Sequence, residues 1–506
     1  MHRNGRAIRR VIHHEQGRGR KRISLTSILF VIAIVSFVSF GALYRALFAS
    51  INLSENQGID RRESSPIIKS VNTGKDHNML HNINPIDIPE KKVMPGQSYY
   101  GIVDKNIPSP RDTLKSIYNL TKVKFSQSPT LGKHRPDADV IMSMVYGYKL
   151  EQIVIFITSL VETGYQGDIV IGTGKDPDEE MKDFFNFYAE NHHLVVYELP
   201  LKCCCPRAGH PCHVLNMYEG INENIPQSSW QKLKDHRTKR LAAVIRYEYY
   251  YEWSMLYQSK SRILVSDGRD VYFQRDPFQQ LPYEDMEAHI IMADSGPPPD
   301  PSKPLVPMVI EESIPDYNWI KEAYKGTSTI EDVKHLTVSC SGTTLGGQPA
   351  MVMYTSAMVH QYDYSVKILG YADNFDQAYH NVILHKHLLP YATENATKVE
   401  LFESGSPMNP LIRTLGVELK FRNKKKSLQE IQELGGLWLN SSGEELFINR
   451  DGSIPAVIHQ ADRHPQIKIM LYRRSAMEIS RWSREKAKAL LQEANTLEEK
   501  LRSYQD

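Results

Sequence analysis

The chain concentrates its chemistry-bearing residues in one stretch, Arg262-Ile-Leu-Val-Ser-Asp-Gly-Arg-Asp-Val-Tyr-Phe-Gln-Arg-Asp-Pro-Phe278. An apolar strand there runs straight into Asp267, Gly268, Arg269 and Asp270. Short apolar runs of this kind belong to parallel sheets, and in open α/β sheets ligands bind at the carboxyl ends of the strands. Two carboxylates at such an edge form an oxygen-ligand site suited to Mg²⁺ or Mn²⁺, ions normally shared with substrate phosphates. A divalent ion there neutralises the charge of a departing diphosphate as a Lewis acid, without moving a proton. In a straight strand, positions three apart face opposite sides. Gly268 is the residue that would relax the backbone enough to bring both acids round. The plainer reading of the same residues is two solvated acids in a turn, with Arg269 pairing one of them.

The elements that must position this segment are legible from periodicity. Strands are expected over 138–147, 168–174, 193–199 and 261–267, alternating with helices over 150–164 and 179–191 and a long aromatic helix over 241–258. Strand–helix alternation with short apolar strands predicts a mainly parallel sheet covered by helices on both faces. Later strands are expected over 288–293 and 336–340, and helices over 349–361 and 374–389. A charged, weakly amphipathic helix over 474–504 closes the chain, with little apolar surface to compel packing.

Composition and charge set the compartment. The net charge is +2, and the first 22 residues hold eight Lys/Arg against one Glu, which leaves the rest of the chain at −5. A mildly acidic body excludes a nucleic-acid binder, which needs a basic face on the domain itself. Residues 23–44 carry no charge, enough to span a hydrocarbon core of about 30 Å as a helix. Arg18, Arg20, Lys21 and Arg22 flank one side and only Arg45 the other. The positive-inside rule therefore predicts a short cytosolic tail over 1–22, a single membrane-spanning helix over 23–44 and a lumenal remainder. The apolar run is longer than the core of a cleaved signal peptide, the competing reading. Residues 45–135 read as an extended stem that contributes no core, so a chain starting near Lys133 is expected to stay soluble and active. Residues 136–472 form the main domain and 473–506 the C-terminal helix. Asn52, Asn119, Asn395 and Asn440 head Asn-x-Ser/Thr triplets that suit a lumenal location. Five cysteines cluster as Cys203, Cys204, Cys205 and Cys212, with Cys340 alone. A disulfide-pinned loop suits an oxidising lumen, a zinc site with His210 and His213 being the alternative. The odd count leaves one thiol free or paired with another chain, which leaves a homodimer open.

Asp267 to Phe278 resembles the metal-binding strand of GT-A fold, nucleotide-sugar-dependent glycosyltransferases, in which a D-x-D motif follows a buried strand. Three further stretches agree with that family in order. Ser341-Gly-Thr-Thr-Leu-Gly-Gly347 looks like the segment lining the donor-sugar pocket. Asn374-Phe-Asp-Gln-Ala-Tyr-His-Asn381 resembles a "D-Q-x-x-x-N" helix start. Ile454-Pro-Ala-Val-Ile-His-Gln-Ala-Asp-Arg-His-Pro465 resembles the late strand-to-loop whose His completes the metal shell. The spacing Asp-Gly-Arg-Asp is one residue longer than D-x-D. The resemblance implies an α/β, GT-A-like fold and transfer of a sugar from a nucleotide-diphosphate sugar to a glycan or glycoprotein, in the Golgi lumen, with Mn²⁺ or Mg²⁺. It assigns Asp267, Asp270 and His459 to the metal, Arg246, Arg269 and Arg463 to phosphate, Gly342 and Thr343 to the donor, and Asp376 and Gln377 to the reacting sugar. No carboxylate stands clearly apart from the metal pair as a base, which favours retention at the anomeric carbon. A non-catalytic lumenal binding protein on the same fold is the competing function, and the longer acidic spacing is what supports it.

Overall fold

The computed structural model describes residues 109–118, 122–203, 211–214, 217–218, 240–281, 286, 289–294, 308–369, 376–389, 398–402, 411–415, 438–439, 447–448, 453–463 and 465–502, all within one compact unit. The expected cytosolic tail, the expected span over 23–44, most of the expected stem and the four Asn-x-Ser/Thr asparagines lie outside these residues. Among the described residues no helix is long and apolar enough to cross a membrane.

The strands are β1 (Val140–Met144), β2 (Asp168–Gly174), β3 (Leu194–Leu199), β4 (Arg262–Ser266), β5 (Val271–Phe273), β6 (His289–Asp294), β7 (Ser339–Gly347), β8 (Lys398–Phe402), β9 (Ile412–Thr414) and β10 (Val457–His459). Seven of them form one mixed α/β sheet in the order β8-β6-β7-β4-β1-β2-β3. The pairs among β1, β2, β3 and β4 are parallel, as is β6 with β8, while β7 runs antiparallel to both neighbours. A second sheet, β9-β10-β5, lies beside it. The expected strand over 336–340 is thus displaced and longer. It starts at Ser339 and continues through Gly347, with a register shift between Ser339 and Thr344.

The helices around the sheets are α1 (Pro110–Tyr118), α2 (Leu150–Glu162), α3 (Glu179–Asn191), α4 (Ala242–Ser254), α5 (Ile314–Ala323), α6 (Gln348–Leu369), α7 (Asp376–Ile383), α8 (Pro465–Trp482) and α9 (Arg484–Arg502). Strand alternation feeds two cores: Val140, Met142 and Met144 of β1 face one, Ile141 and the following Val145 the other. The first core takes α4, α6 and α7; the second takes α2, α3 and the C-terminal pair. Helix α4 is buried all round, so its Arg246, Glu248 and Glu252 are charges inside a core. A charge so placed must be paired.

Both ends of the domain reach beyond the boundaries expected from sequence. Upstream of residue 136, Val123 joins the first core, and Arg111 Nε of α1 lies 3.0 Å from each oxygen of Glu252, whose side chain is fully buried. His134 and Arg135 are stitched to the amino edge of the sheet. Arg135 Nε donates to Asp168 at 2.7 Å, Tyr257 donates to the same carboxylate at 2.9 Å, and the His134 ring nitrogens sit 2.7 Å from the Tyr257 and Tyr197 hydroxyls. At the other end the charged tail is two helices that meet at Ser483. Ile479, Ala487 and Leu490 enter the second core, and Trp482 packs edge-on against Phe184 at 5.3 Å. The buried apolar residues run from one helix into the next, and the many charges on their outer faces mask them in the sequence. In the Cys-rich insert, Cys203 stands opposite Cys212 in an antiparallel pair, and Cys340 is free and buried. Cys204, Cys205 and His210 lie outside the described residues.

Two outcomes are expected. Arg111→Ala strands the Glu252 carboxylate and should lower the unfolding free energy by about 3 kcal/mol, read as a reduced urea midpoint; a chain starting at Lys133 should show the same loss. Burial also lowers the His134 and His380 pKa values, to about 4 and about 3. Both rings fold neutral, so their contribution is complete above about pH 6.5 and is lost as pH falls toward 4, by on the order of 1 kcal/mol per unit for each ring. A urea midpoint that stays constant between pH 6.5 and 5 would contradict this.

Candidate active site

The chain leaves the large sheet at Ser266 and enters the small one at Val271, so Asp267 to Asp270 spans the junction between the two. Two backbone bonds hold that junction: Asp267 N–H donates to Gly342 at 2.8 Å, and Ala461 N–H donates to Asp270 at 3.1 Å. Gly268 is needed here for space rather than for a special backbone angle. A Cβ on it would lie 2.6 Å from Ser143 Oγ and 2.7 Å from a Val145 methyl, both at the end of β1. His459 is the last residue of β10 and sits opposite Val271, next to Asp270. Directly after it, Gln460 turns the chain with φ of 63°, a left-handed conformation unusual for a long side chain.

This arrangement brings Asp267, Asp270 and His459 together. His459 Nε2 is 3.5 Å from Asp267 Oδ2 and 3.8 Å from Asp270 Oδ1, and one ligand atom from each residue falls within 4.8 Å of the others. Both His459 and Asp270 are almost completely buried. Among the described residues, His459 Nε2 and Asp270 Oδ1 have no hydrogen-bond partner, although both are shut off from solvent. Two facing polar atoms left bare inside a protein mark a place built for a ligand or a functional role. Gly342 completes the cradle. A Cβ there would stand 2.3 Å from His459 Nε2 and Cε1 and 2.8 Å from Asp267 Oδ2. Two carboxylate oxygens and an imidazole nitrogen around this space fit a divalent cation such as Mn²⁺ or Mg²⁺.

Each carboxylate divides its oxygens between an arginine and the cradle. Asp267 Oδ1 accepts from Arg246, and Asp270 Oδ2 accepts from Arg269 at 3.2 Å with Arg463 at 4.0 Å. Arg246, assigned to phosphate from the sequence, instead spends its other terminal nitrogen on Asp376. Asp376 opens α7 and also accepts from Ser341 Oγ at 3.2 Å. Gln377 is sewn to β7: its Oε1 accepts from Ser341 N–H at 2.8 Å and its amide nitrogen donates to the Ser339 carbonyl. Asn381, one turn on, receives the Ser339 N–H at 2.7 Å. Thr343 is fully buried beside Ser266, its hydroxyl without a partner. Arg269 and Arg463 are both exposed at the rim.

Burial by itself would raise the Asp267 carboxyl, but Arg246 and His459 outweigh it and hold the acid below the usual carboxylate range. Burial likewise opposes charging of His459, yet Cys340, Asp267 and Asp270 together raise its proton affinity well above the ordinary value. A positive charge is therefore favoured between these acids, as a proton on the ring or as a bound cation. Asp462, raised by burial and by Asp270, faces Arg269 Nε at 3.5 Å. Sequence reasoning missed Cys340, whose sulfur lies 3.4 Å from His459 Nδ1, and it missed the Arg246 bridge. For the bridge a signal existed, a lone Arg inside a tyrosine-rich helix. For Cys340 there was none.

No family model matches the chain, and no curated protein matches it. Solved structures similar to it are glycosyltransferases. The bifunctional glycosyltransferase WbbM is 9% identical over 69% of this chain and 50% of its own, with a TM-score of 0.33, so this chain spans half of that protein's length. The galactosyltransferase LgtC, in complex with donor and acceptor sugar analogues, is 10% identical over 71% of this chain and 95% of its own, with a TM-score of 0.31. An active-site mutant of LgtC is 8% identical over 63% and 86%, with a TM-score of 0.30.

Gly342→Ala tests the cradle directly. The added methyl collides with a ring that cannot retreat, so Mn²⁺ affinity measured by calorimetry should fall by about 10–100-fold while circular dichroism stays unchanged.

Proposed function

We propose that this chain is a divalent-metal-dependent glycosyltransferase that moves a sugar from a nucleotide-diphosphate sugar to a glycan or glycoprotein. The observation that carries the reading is the pair of bare, buried atoms, Asp270 Oδ1 and His459 Nε2, facing one another across the space that Gly342 leaves open. Its position supports it as well, at the carboxyl edge of β4 where an open α/β sheet receives ligands. Asp267, Asp270 and His459 would hold Mn²⁺ or Mg²⁺, which when bound supplies Lewis-acid neutralisation of a diphosphate leaving group.

The surrounding residues take defined parts. Arg269 and Arg463 line the rim with positive charge on the open side of Asp270, where they can meet phosphate oxygens. Arg246 locks Asp376 and Asp267 into one frame, so a sugar hydroxyl bound by Asp376 is fixed relative to the metal ligands. Gln377 and Asn381 hold the backbone of β7 in place, and with it Gly342 and Thr343. Asp267, Asp270 and Asp376 are each in contact with an arginine. With an oxygen engaged in this way these three are poorly placed to act as general bases, which supports retention at the anomeric carbon. The uncharged run over 23–44 with its one-sided cluster of Arg and Lys supports a single-pass type II anchor in the Golgi membrane, with the domain in the lumen.

The test is release of nucleotide from a panel of UDP- and GDP-sugars by the purified chain with Mn²⁺. Turnover with at least one donor is expected, abolished by EDTA and restored by Mn²⁺. Asp267→Asn and His459→Ala should each lower it by roughly 100-fold or more with the fold retained. No release from any donor would favour a non-catalytic binding protein on this fold; undiminished rates in both variants would remove the metal assignment.

A further inference from the structure

We infer that Cys340 is the positioning residue for His459: its sulfur accepts the Nδ1 proton, which leaves the Nε2 lone pair free for a cation held between that nitrogen and the two carboxylates. This rests on the metal-site reading above. A metal-ligating imidazole must be neutral, with one nitrogen free to coordinate and the other carrying a proton that needs an acceptor. His459 is 1% exposed, so water cannot serve as that acceptor. Cys340 Sγ lies 3.4 Å from Nδ1, within reach of a hydrogen bond to sulfur, and Cys340 is itself 4% exposed.

Two further observations point the same way. The side-chain amide of Gln460 directs an N–H at this same sulfur, at 3.8 Å, so the sulfur already serves as an acceptor on another side. Gln460 gains that position through its left-handed backbone angle, a conformation that costs energy for a residue of its size. At the other end of the ring, Gly342 presses against Cε1 and Nε2, where no side chain would fit. One strand, β7, thus grips the imidazole from both ends, with sulfur at Nδ1 and bare backbone beside Nε2. Rotation of the ring by half a turn would point carbon at the carboxylates and forfeit the sulfur contact.

The experiment compares the wild-type chain with Cys340→Ser and Cys340→Val, using ¹⁵N-histidine labelling to follow the His459 Nδ1 proton and calorimetry with Mn²⁺ alone. Wild type and Cys340→Ser, which keeps an acceptor, should show a slowly exchanging Nδ1 proton and similar Mn²⁺ affinity. Cys340→Val should lose the proton signal and bind Mn²⁺ about 10–100-fold more weakly at an unchanged thermal midpoint. Should the valine variant fail to fold, Cys340→Ala replaces it with the same expectations. A Nδ1 proton and Mn²⁺ affinity unaltered in the apolar variants would overturn the assignment, as would a serine variant that behaves like valine. If the wild-type chain binds no Mn²⁺, the metal reading falls, while the proton comparison still decides whether Cys340 orients the ring.

Discussion

The buried guanidinium of Arg246 is the constraint on which the site depends. It sits on a helix enclosed on every side, and its two terminal nitrogens reach Asp267 at the end of β4 and Asp376 at the start of α7. Taking such a charge out of water is costly unless its partners are close and well aligned. The planar fork of arginine meets that condition for two carboxylates at once, which a lysine could not. Three elements from distant parts of the chain are thereby fixed around a single guanidinium. Moving any one of them leaves an unpaired ion in a core.

The same economy of charge runs through the rest of the edge. Asp270 leans on Arg269 and Arg463, and Asp462 on Arg269. Every acid is partly neutralised by an arginine, yet Asp267 and Asp270 each keep an oxygen on the side of His459. Enough negative potential survives to attract a cation, and enough is cancelled to let the acids be buried together. Residues with no charge do the spacing: Gly268 lets the junction close onto β1, and Gly342 makes room for the ring.

Much of this was legible from the sequence because the signals were local. The apolar strands that begin at Asp168 and Leu194 and the one that ends just before Asp267 announced a parallel sheet, and acids at a strand end announced a ligand edge. The role of His459 came only through resemblance, since a histidine that ends a three-residue strand says nothing by itself. What stayed hidden was relational. Periodicity ends the Ser339–Gly347 strand at residue 340, because the glycines and threonines that follow carry no apolar pattern. Its pairing partners on both sides make it a central strand. The C-terminal helices looked too polar to pack because the many charges on the outer faces of α8 and α9 mask their buried apolar residues. The anchoring role of Arg111 could not be seen without Glu252 buried opposite it.

The placement of β10 has a consequence for biosynthesis. This strand inserts between β9 and β5, so the sheet that carries Asp270 onward has its middle member supplied by one of the last segments of the chain. A ribosome delivers the acids and Arg246 well before it delivers the imidazole. A chain stopped short of β10 would lack both the imidazole and the two helices that close the second core, so the acids and their arginine partners gain their final surroundings only when synthesis is nearly complete.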